Sequence, residues 1–269
     1  MKITNKEKIT DKIKDKKSIL KYIKDILLDF IYPKNISCII CDNPIKLTNS
    51  YSICKDCFKE LHFLKDACLK CGKPLVNHNL EYENIKDCPS CKRRTFYFDR
   101  AISCIEYNKT SKKMILDFKY RNKTYFCRYV AQIMSEKMEL ENLTGDYLLF
   151  VPLHKKRLRK RGFNQAQKIA EDLSEITGIP TLNCIFRKRN TRRLYNLNKK
   201  EREQEVKNSF VIKDNDNLLK NKNVILIDDI FTTAATTNEI SKELRLVPVN
   251  KITVLTLLTR GYDIYLPYE

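Results

Sequence analysis

The sequence has little glycine and little proline, with 5 Gly and 8 Pro in 269 residues, so flexible glycine-rich linkers are absent. It contains no uninterrupted apolar run near the roughly 18 residues that a membrane-spanning helix needs, which excludes such a span. Residues 1–8 are polar and do not lead into the apolar core of a signal peptide. We therefore expect a protein that is not secreted and that resides in the cytoplasm.

Composition and length favour an ordinary folded chain. Hydrophobic residues make up 42% of the sequence and charged residues 32%, which excludes a fully disordered or a collagen-like chain. A length of 269 residues corresponds to about two domains at roughly 150 residues each.

The charge balance is strongly positive: 52 Lys and Arg against 33 Asp and Glu give a net charge of +19. Such a balance favours nucleic acid, phosphates or anionic membrane surfaces as partners. A general bias of the coding sequence towards Lys, Asn and Ile would raise the charge evenly, but two clusters are local. Residues 155–161 carry six positive charges and residues 187–193 carry five. We predict that both clusters bind phosphate-bearing ligands.

Eight of the eleven cysteines form four pairs, each with two residues between its cysteines. Two thiolates at this spacing on a tight turn point at one ion, and two such turns complete a tetrahedral zinc site. Disulfides are disfavoured in a cytosolic chain, and four equal pairs would be an unusual disulfide pattern. We predict two zinc ions, each held by four thiolates, from the ligands Cys38, Cys41, Cys54, Cys57, Cys68, Cys71, Cys88 and Cys91.

The spacing leaves open which cysteine pairs share an ion. Sequential pairing joins the first two pairs and the last two, whereas interleaved pairing would resemble cross-braced fingers. Eight thiolates satisfy two ions, so His62 and His78 are interpreted as surface histidines. The three remaining cysteines, Cys104, Cys127 and Cys184, are interpreted as buried structural thiols.

Three segments are expected along the chain. Residues 1–17 form a lysine-dense polar arm, which we expect to be disordered. Residues 18–95 would hold an amphipathic helix, with an apolar stripe from Ile19 to Ile31, followed by the zinc-binding cysteines. Such a stripe usually packs against its own protein, although a basic amphipathic helix also suits a membrane surface. Residues 96–269 would form the second domain.

The second domain alternates between strand-like and helix-like segments. Continuous apolar runs such as 147–151 and 224–227 suit buried strands of a parallel sheet, and strands separated by helices predict a right-handed α/β sheet. The predicted strands are 100–107, 147–151, 209–212, 223–228 and 251–258. The predicted helices are 111–119, 125–140, 164–176, 199–207 and 236–245.

The run 224–239, Val-Ile-Leu-Ile-Asp-Asp-Ile-Phe-Thr-Thr-Ala-Ala-Thr-Thr-Asn-Glu, carries the most specific chemistry. A buried strand delivers Asp228 and Asp229 to its carboxyl end, where ligands of α/β sheets bind. A threonine-rich turn then opens a helix, with Thr236 and Glu239 at capping-box spacing. Carboxylates accept hydrogen bonds from sugar hydroxyls, while threonine hydroxyls, loop N–H groups and a helix N-terminus receive a phosphate. The run predicts a ribose-5-phosphate site, since a plain helix cap needs neither two acids nor three threonines.

This run resembles the signature of type I phosphoribosyltransferases, in which a hydrophobic strand precedes Asp-Asp-x-x-Thr-Thr-Gly-x-Thr. From about residue 28 onward, the chain is similar to the ComF family of competence proteins. The resemblance rests on the double zinc ribbon, the Asp-Asp loop, Asp117-Phe-Lys-Tyr120, and Val151-Pro-Leu-His154 running into Arg161-Gly-Phe-Asn-Gln165. It implies a type I phosphoribosyltransferase-like parallel sheet with an N-terminal double zinc-ribbon domain.

The resemblance also implies ligands and partners. Phosphoribosyl pyrophosphate (PRPP) with magnesium is the expected ligand, and the metal would be held mainly by the ligand's own oxygens. A role in the uptake of single-stranded DNA during natural transformation is expected, alongside a helicase-like motor protein.

Residue roles carry over from the family position by position. Asp228 and Asp229 would hold the ribose hydroxyls and are the candidate catalytic residues. Residues 155–161, ending in Arg161, would form a mobile basic loop that neutralises the leaving group. The turn that meets the pyrophosphate would consist of Pro152, Leu153 and His154. The 5′-phosphate would be wrapped by Thr232, Thr233, Ala234, Ala235 and Thr236.

Three positions depart from the family pattern. Ala234 replaces the loop glycine at a position that favours close backbone approach or positive φ, so we expect weakened phosphate affinity. Leu194 and Glu205 stand where the family usually has Gln and Asn, which leaves the second substrate unassigned. The segment 188–193 is interpreted as a basic DNA-facing loop.

Three functions fit the sequence. The first is a competence factor that binds PRPP and assists the uptake of single-stranded DNA. The second is an active phosphoribosyltransferase that transfers ribose-5-phosphate to an unidentified nitrogen nucleophile. The third is a non-enzymatic zinc-ribbon adaptor for a helicase-like motor.

Overall fold

The computed structural model describes residues 36–74, 88, 90–92, 94–120, 125–192 and 197–261, with the backbone alone at 117–120. The predicted arm at 1–17, the amphipathic helix that follows it, and His78 lie outside these residues. So do Leu194 and the side chains of the predicted Asp117–Tyr120 motif. The chain divides into two compact units, Met1–Lys55 and Asp56–Glu269, which are treated one at a time.

The described part of the first unit is built around a cysteine knuckle. Cys38 N–H donates to Asn43 O at 2.8 Å, and Asp42 N–H donates back to Cys38 O at 2.9 Å. Asp42 closes this turn with φ +62°. Ile39, Ile40 and Ile53 are buried beside it, so a small apolar cluster supports the turn.

The second unit opens with the same knuckle pattern. Cys68 N–H donates to Lys73 O at 2.9 Å, and Gly72 N–H donates to Cys68 O at 2.8 Å. Gly72 takes the positive φ, +65°, that Asp42 takes in the first knuckle. The two knuckles are therefore repeats of one local structure, which the repeated spacing of the cysteines predicts.

Six strands, seven α-helices and one short 3-10 helix, Ser50–Ser52, lie within the described residues. The strands are β1 Arg100–Glu106, β2 Tyr147–Phe150, β3 Ile185–Arg187, β4 Phe210–Ile212, β5 Asn223–Phe231 and β6 Lys251–Thr259. The helices are α1 Lys55–Lys59, α2 Lys109–Tyr120, α3 Phe126–Leu140, α4 Lys155–Arg161, α5 Gln165–Thr177, α6 Lys199–Val206 and α7 Ala235–Leu244. None of these helices is both long and apolar enough to cross a bilayer.

Four of the strands form a parallel sheet in the order β1-β6-β5-β2. The centre of β5, Val224–Ile227, is buried, as is β6 from Ile252 onward. Helix α5 packs on β2 and β5, α3 packs on β1 and β6, and the two helices pack on each other. This layer over an apolar sheet confirms the predicted parallel α/β architecture, because continuous apolar strands need cover of this kind.

One sequence-based assignment is wrong in its local structure, and another is correct as a strand but lies outside the main sheet. Residues 155–161, predicted as a mobile basic loop, form helix α4. The predicted strand at 209–212 does not join the main sheet, because β4 pairs antiparallel with β3, a strand that the sequence did not reveal. β3 is three residues long and stands beside charged residues, so no hydrophobic periodicity marks it.

Gly72 offers a test of how closely the second knuckle packs on the sheet. A Cβ at this residue would lie 2.6 Å from Ala101 O and 2.9 Å from Ala101 C, on the β1 backbone. Gly72→Ala should therefore lower the free energy of unfolding by about 3 kcal/mol, from left-handed strain together with overpacking. Thermal and denaturant unfolding of the zinc-loaded protein would measure this loss.

Gly178→Ala is the matched control. This residue also has a positive φ, +74°, but a Cβ at this residue would have nothing within 4 Å. The control should lose only about 1 kcal/mol through backbone strain. Equal losses in the two variants would contradict close packing at Gly72.

Candidate functional site

The eight paired cysteines come together as two clusters of four. Within each cluster all Sγ atoms lie within 4.8 Å of one another. One cluster is Cys38, Cys41, Cys54 and Cys57, and the other is Cys68, Cys71, Cys88 and Cys91. Sequential pairing is thus the arrangement found, and interleaved pairing is excluded.

The spacing of the sulfur atoms fits zinc. Cys41 and Cys54 Sγ are 3.7 Å apart, Cys68 and Cys91 Sγ 3.6 Å, and Cys71 and Cys88 Sγ 3.7 Å. A tetrahedron with Zn–S bonds of about 2.3 Å places its sulfurs about 3.8 Å apart. Four thiols at this separation form a closed structural site, which confirms the predicted zinc centres.

The shifted pKa values of the clustered cysteines also favour a bound cation. Hydrogen bonds with the Cys68 and Cys88 thiols, followed by burial, raise the pKa of Cys71 far above that of an ordinary thiol. Burial raises the pKa of Cys91 to about 12. At Cys38, burial opposes ionisation, but N–H groups of Cys54, Cys41 and Ile40 outweigh it and lower the pKa. A divalent ion would keep all four ligands of each cluster deprotonated.

The three other cysteines and His62 take the roles that the sequence predicts for them. Cys104, Cys127 and Cys184 are all buried, and burial raises the pKa of both Cys104 and Cys184 to about 12. The side chain of His62 is 63% exposed, and its Nδ1 lies 3.4 Å from Glu106 Oε2. It is a surface histidine.

The second candidate site lies at the carboxyl ends of β2 and β5. Val151 N–H donates to Ile227 O at 3.0 Å, so the chain leaves β2 directly beside Asp228. Asp228 and Asp229 are half-buried, and Asp229 N–H donates to Asp228 Oδ1 at 2.9 Å. Strand β5 continues to Phe231, three residues beyond its predicted end. Parallel pairing thus brings the two acids next to the predicted pyrophosphate turn.

The loop that follows the acids turns through a left-handed residue. Ala234 has φ +62° and ψ 2°, and α7 begins at the next residue. The predicted capping box is wrong, because Thr236 lies inside the helix and Glu239 accepts a hydrogen bond from Asn208 N–H at 2.7 Å. Ala234, at the N-cap position, makes no side-chain hydrogen bond that caps this helix. Its first N–H groups therefore lack the usual side-chain acceptor, which favours an anion there.

The turn after β2 is anchored by the segment that follows α4. Pro152 is buried, whereas Leu153 and His154 are half-buried. His154 caps α4, its Nδ1 accepting from Lys156 N–H at 3.3 Å, and Gly162 ends the helix with φ +84°. Asn164 Nδ2 donates to Val151 O at 3.0 Å, which ties the start of α5 to the end of β2.

Arg161 is held within its own segment. Its Nη1 donates to Gln165 Oε1 at 2.6 Å, in the first turn of α5. This hydrogen bond holds the Arg161 guanidinium at the end of α4. The predicted site residues therefore gather around two turns, 152–154 and 232–236, with the acids on the strand between them.

Arginine side chains from both predicted basic clusters, 155–161 and 187–193, are held near this region. Arg187 Nη2 donates to Thr191 Oγ1 at 2.5 Å, and its guanidinium lies 5.1 Å from the Phe210 ring centre. Burial lowers the pKa of Arg187 to about 10, and repulsion by Arg157 adds to this, while the Asp228 carboxylate favours the charged form. Arg187 is thus a cation whose charged form the Asp228 carboxylate favours. The cluster at 187–193 was the signal that pointed to it.

Arg157 joins α4 to the same segment. Its guanidinium donates to the carbonyl oxygens of Thr191 and Arg192, the latter at 3.0 Å. Glu205, one of the departures from the family pattern, accepts from Arg192 N–H at 2.7 Å and Nε at 2.9 Å. These hydrogen bonds lower the pKa of the Glu205 carboxyl. The acid holds the basic segment in place.

Ala234 yields a direct test of loop strain. Replacing this left-handed alanine with glycine should raise the free energy of unfolding by about 1 kcal/mol, because glycine adopts φ +62° without a Cβ clash. In a chain of this size the change corresponds to about 2–4 °C in melting temperature.

Ala235→Gly, at the first helical residue, is the matched control. It should lower stability by up to about 1 kcal/mol, because glycine loses more backbone entropy in a helix. Thermal unfolding of both variants gives the comparison. A stability loss in Ala234→Gly would show that the turn carries no left-handed strain.

Comparison with known proteins gives a consistent assignment. A family model for a double zinc ribbon domain matches residues 27–92. Competence protein F of Haemophilus influenzae is 28% identical over 82% of this chain and 95% of its own length. Competence protein ComFC of Bacillus subtilis is 25% identical over 74% of this chain and 84% of its own. Among solved structures, the glutamine PRPP amidotransferase of Bacillus subtilis covers 48% of this chain and 25% of its own, with 18% identity and a TM-score of 0.34. With two four-cysteine clusters ahead of a parallel sheet, and competence proteins similar over most of its length, the comparisons support the predicted resemblance to the ComF family.

Proposed function

We propose that this protein binds PRPP, with magnesium, at the carboxyl ends of β2 and β5. The observation that carries the proposal is the left-handed turn at Ala234, which places an uncapped helix start directly after two half-buried acids. Backbone N–H groups at such a start receive a phosphate, and the adjacent carboxylates accept hydrogen bonds from the ribose hydroxyls. A pentose 5-phosphate carries both the hydroxyls for the carboxylates and the phosphate for the helix start.

The chain's own residues divide the binding roles. Asp228 and Asp229 would orient the sugar, and the loop 232–236 would hold the 5′-phosphate. The turn 152–154 would face the pyrophosphate, and α4 supplies positive charge next to it. Magnesium, when bound with the ligand, would screen the charge of the pyrophosphate oxygens. Arg187 would offset the acids so that an anionic ligand is not repelled.

We propose further that the exposed face of α4 contacts single-stranded DNA during uptake in natural transformation. The six cations of this helix are divided by exposure. Arg157 and Arg161 are half-buried and hydrogen-bonded within the protein. The others, Lys155, Lys156, Arg159 and Lys160, are exposed. Exposed cations on a short helix suit the backbone of a polynucleotide, and the competence relatives agree with this role.

Binding of PRPP should be visible as stabilisation. At a hundredfold excess over Kd, Mg-PRPP should add about 2.7 kcal/mol, or roughly 5–10 °C in melting temperature. Asp228→Asn with Asp229→Asn should weaken PRPP binding at least tenfold, because hydrogen bonds from sugar hydroxyls to charged acceptors are lost. Thermal shift and calorimetric titration would measure both effects.

Asp216→Asn, on an exposed residue, is the control and should bind as the parent does. An unchanged melting temperature of the parent with Mg-PRPP would end the proposal.

The second candidate function, an active transferase, is favoured by Arg187, a cation that interacts with Asp228 and could stabilise a departing pyrophosphate. Pyrophosphate release from PRPP with a panel of nitrogen bases would identify that activity.

DNA binding through α4 should depend steeply on salt. Lys155→Gln, Lys156→Gln and Lys160→Gln together should reduce the slope of log affinity against log salt by about 2, since each phosphate contact contributes about 0.7 for single strands. Fluorescence anisotropy with a labelled oligonucleotide at several salt concentrations would measure the slope.

The control removes equal charge from another exposed helix face, through Lys109→Gln, Lys112→Gln and Lys113→Gln on α2. This variant should keep the parent slope within about 0.5. Identical slopes for the two triple variants would assign the salt dependence to net charge rather than to α4.

A further inference from the structure

Arg94 joins the second zinc cluster to the loop at 232–236. Its backbone N–H donates to Cys91 O at 3.0 Å, so the residue is part of the knuckle that carries a zinc ligand. Its side chain, 13% exposed, reaches away from the knuckle, and Nη1 donates to Thr233 O at 3.3 Å. Nη2 lies 3.4 Å from Glu203 Oε1, which holds the other side of the guanidinium fork. One residue therefore contacts both a zinc knuckle and the proposed phosphate loop.

A second set of hydrogen bonds fixes the same segment to α7. Tyr97 N–H donates to Asn238 Oδ1 at 2.7 Å, and Asn238 Nδ2 donates to Thr95 O at 3.3 Å. Asn238 N–H in turn donates to Ala234 O at 2.8 Å, within the first turn of the helix. The residues that leave the knuckle are thus hydrogen-bonded to the helix that the loop opens.

The position of the Arg94 contact has a consequence for the loop. In a trans peptide the C=O and the N–H point in opposite directions. A guanidinium bonded to Thr233 O therefore orients the N–H of Ala234 towards the opposite side. That N–H belongs to the left-handed residue ahead of α7, where an anion would be received.

We propose that zinc in the cluster of Cys68, Cys71, Cys88 and Cys91 controls phosphate binding in the loop 232–236, with Arg94 as the positioning residue. The inference rests on the proposed PRPP site and adds a means of regulating it. Zinc fixes the Cys88–Cys91 knuckle, the knuckle fixes Arg94, and Arg94 holds the Thr233–Ala234 peptide. Because linkage is reciprocal, PRPP in turn strengthens the retention of zinc.

The first test measures the loop without any ligand. Amide hydrogen exchange at 232–236 would be compared in the full-length, zinc-loaded parent and in Arg94→Met. This substitution removes the guanidinium but keeps an unbranched aliphatic side chain. Exchange in the loop should accelerate about tenfold, the effect of losing one hydrogen bond from a charged donor. Arg94→Lys, which keeps the charge with a single point of contact, should fall between the two.

Lys92→Met is the matched control, since this exposed cation stands in the same knuckle. Its loop exchange should equal that of the parent. Zinc content of two per chain and an unchanged circular dichroism spectrum would establish that each variant is folded. Unchanged loop exchange in Arg94→Met would overturn the proposal.

The second test measures whether Arg94 couples PRPP binding to zinc retention. Mg-PRPP should bind Arg94→Met about tenfold more weakly than the parent, and should slow zinc release to a chelator in the parent but not in the variant. Equal affinities in the two proteins would overturn the coupling. A parent that fails to bind PRPP, with loop exchange still faster in Arg94→Met, would refute the proposed function and leave the link from knuckle to loop standing.

Discussion

The backbone at the end of β5 depends on one residue in a left-handed conformation. Ala234, at φ +62°, lets the chain leave a buried strand and enter α7 after only residues 232–234. A right-handed residue at this point would change the direction of the chain and would move the helix start away from Asp228 and Asp229. The conformation costs an alanine about 1–2 kcal/mol, so neighbouring contacts must hold it. The site is thus defined by backbone geometry as much as by its acidic side chains.

Charge around this backbone is arranged by hydrogen bonds. Arg157 donates to two carbonyl oxygens, and Arg187 donates to Thr191 Oγ1 beside the Phe210 ring. Burial lowers the pKa of Arg187 and repulsion by Arg157 lowers it further, whereas the Asp228 carboxylate favours the charged form. Hydrogen bonds thus fix two cations, of which Arg187 interacts electrostatically with Asp228. This positive charge supports the proposed binding of a ligand that combines sugar hydroxyls with several phosphates.

Long-range structure was easier to predict from the sequence than local structure. Continuous apolar runs located the strands of the parallel sheet, and the repeated cysteine spacing located both metal clusters. Helix α4 has no apolar face, so periodicity could not reveal it; it forms through its caps at His154 and Gly162. The capping box at Thr236 failed because α7 begins one residue earlier, at Ala235, after the left-handed Ala234. Arg187 lies opposite Phe210 through pairing of β3 with β4, which no local pattern encodes.

The alanine in the loop also explains why the zinc-binding segment has to touch it. Glycine would hold φ +62° with little strain, whereas alanine needs external hydrogen bonds to keep the same turn. Arg94 supplies one at Thr233 O, and Asn238 links Ala234 O to the backbone of Thr95 and Tyr97. The other end of this segment joins the four-cysteine cluster, where Arg94 N–H donates to Cys91 O. A chain with alanine at this position should therefore couple metal and loop more strongly than one with glycine, because more of the loop's stability comes from outside it.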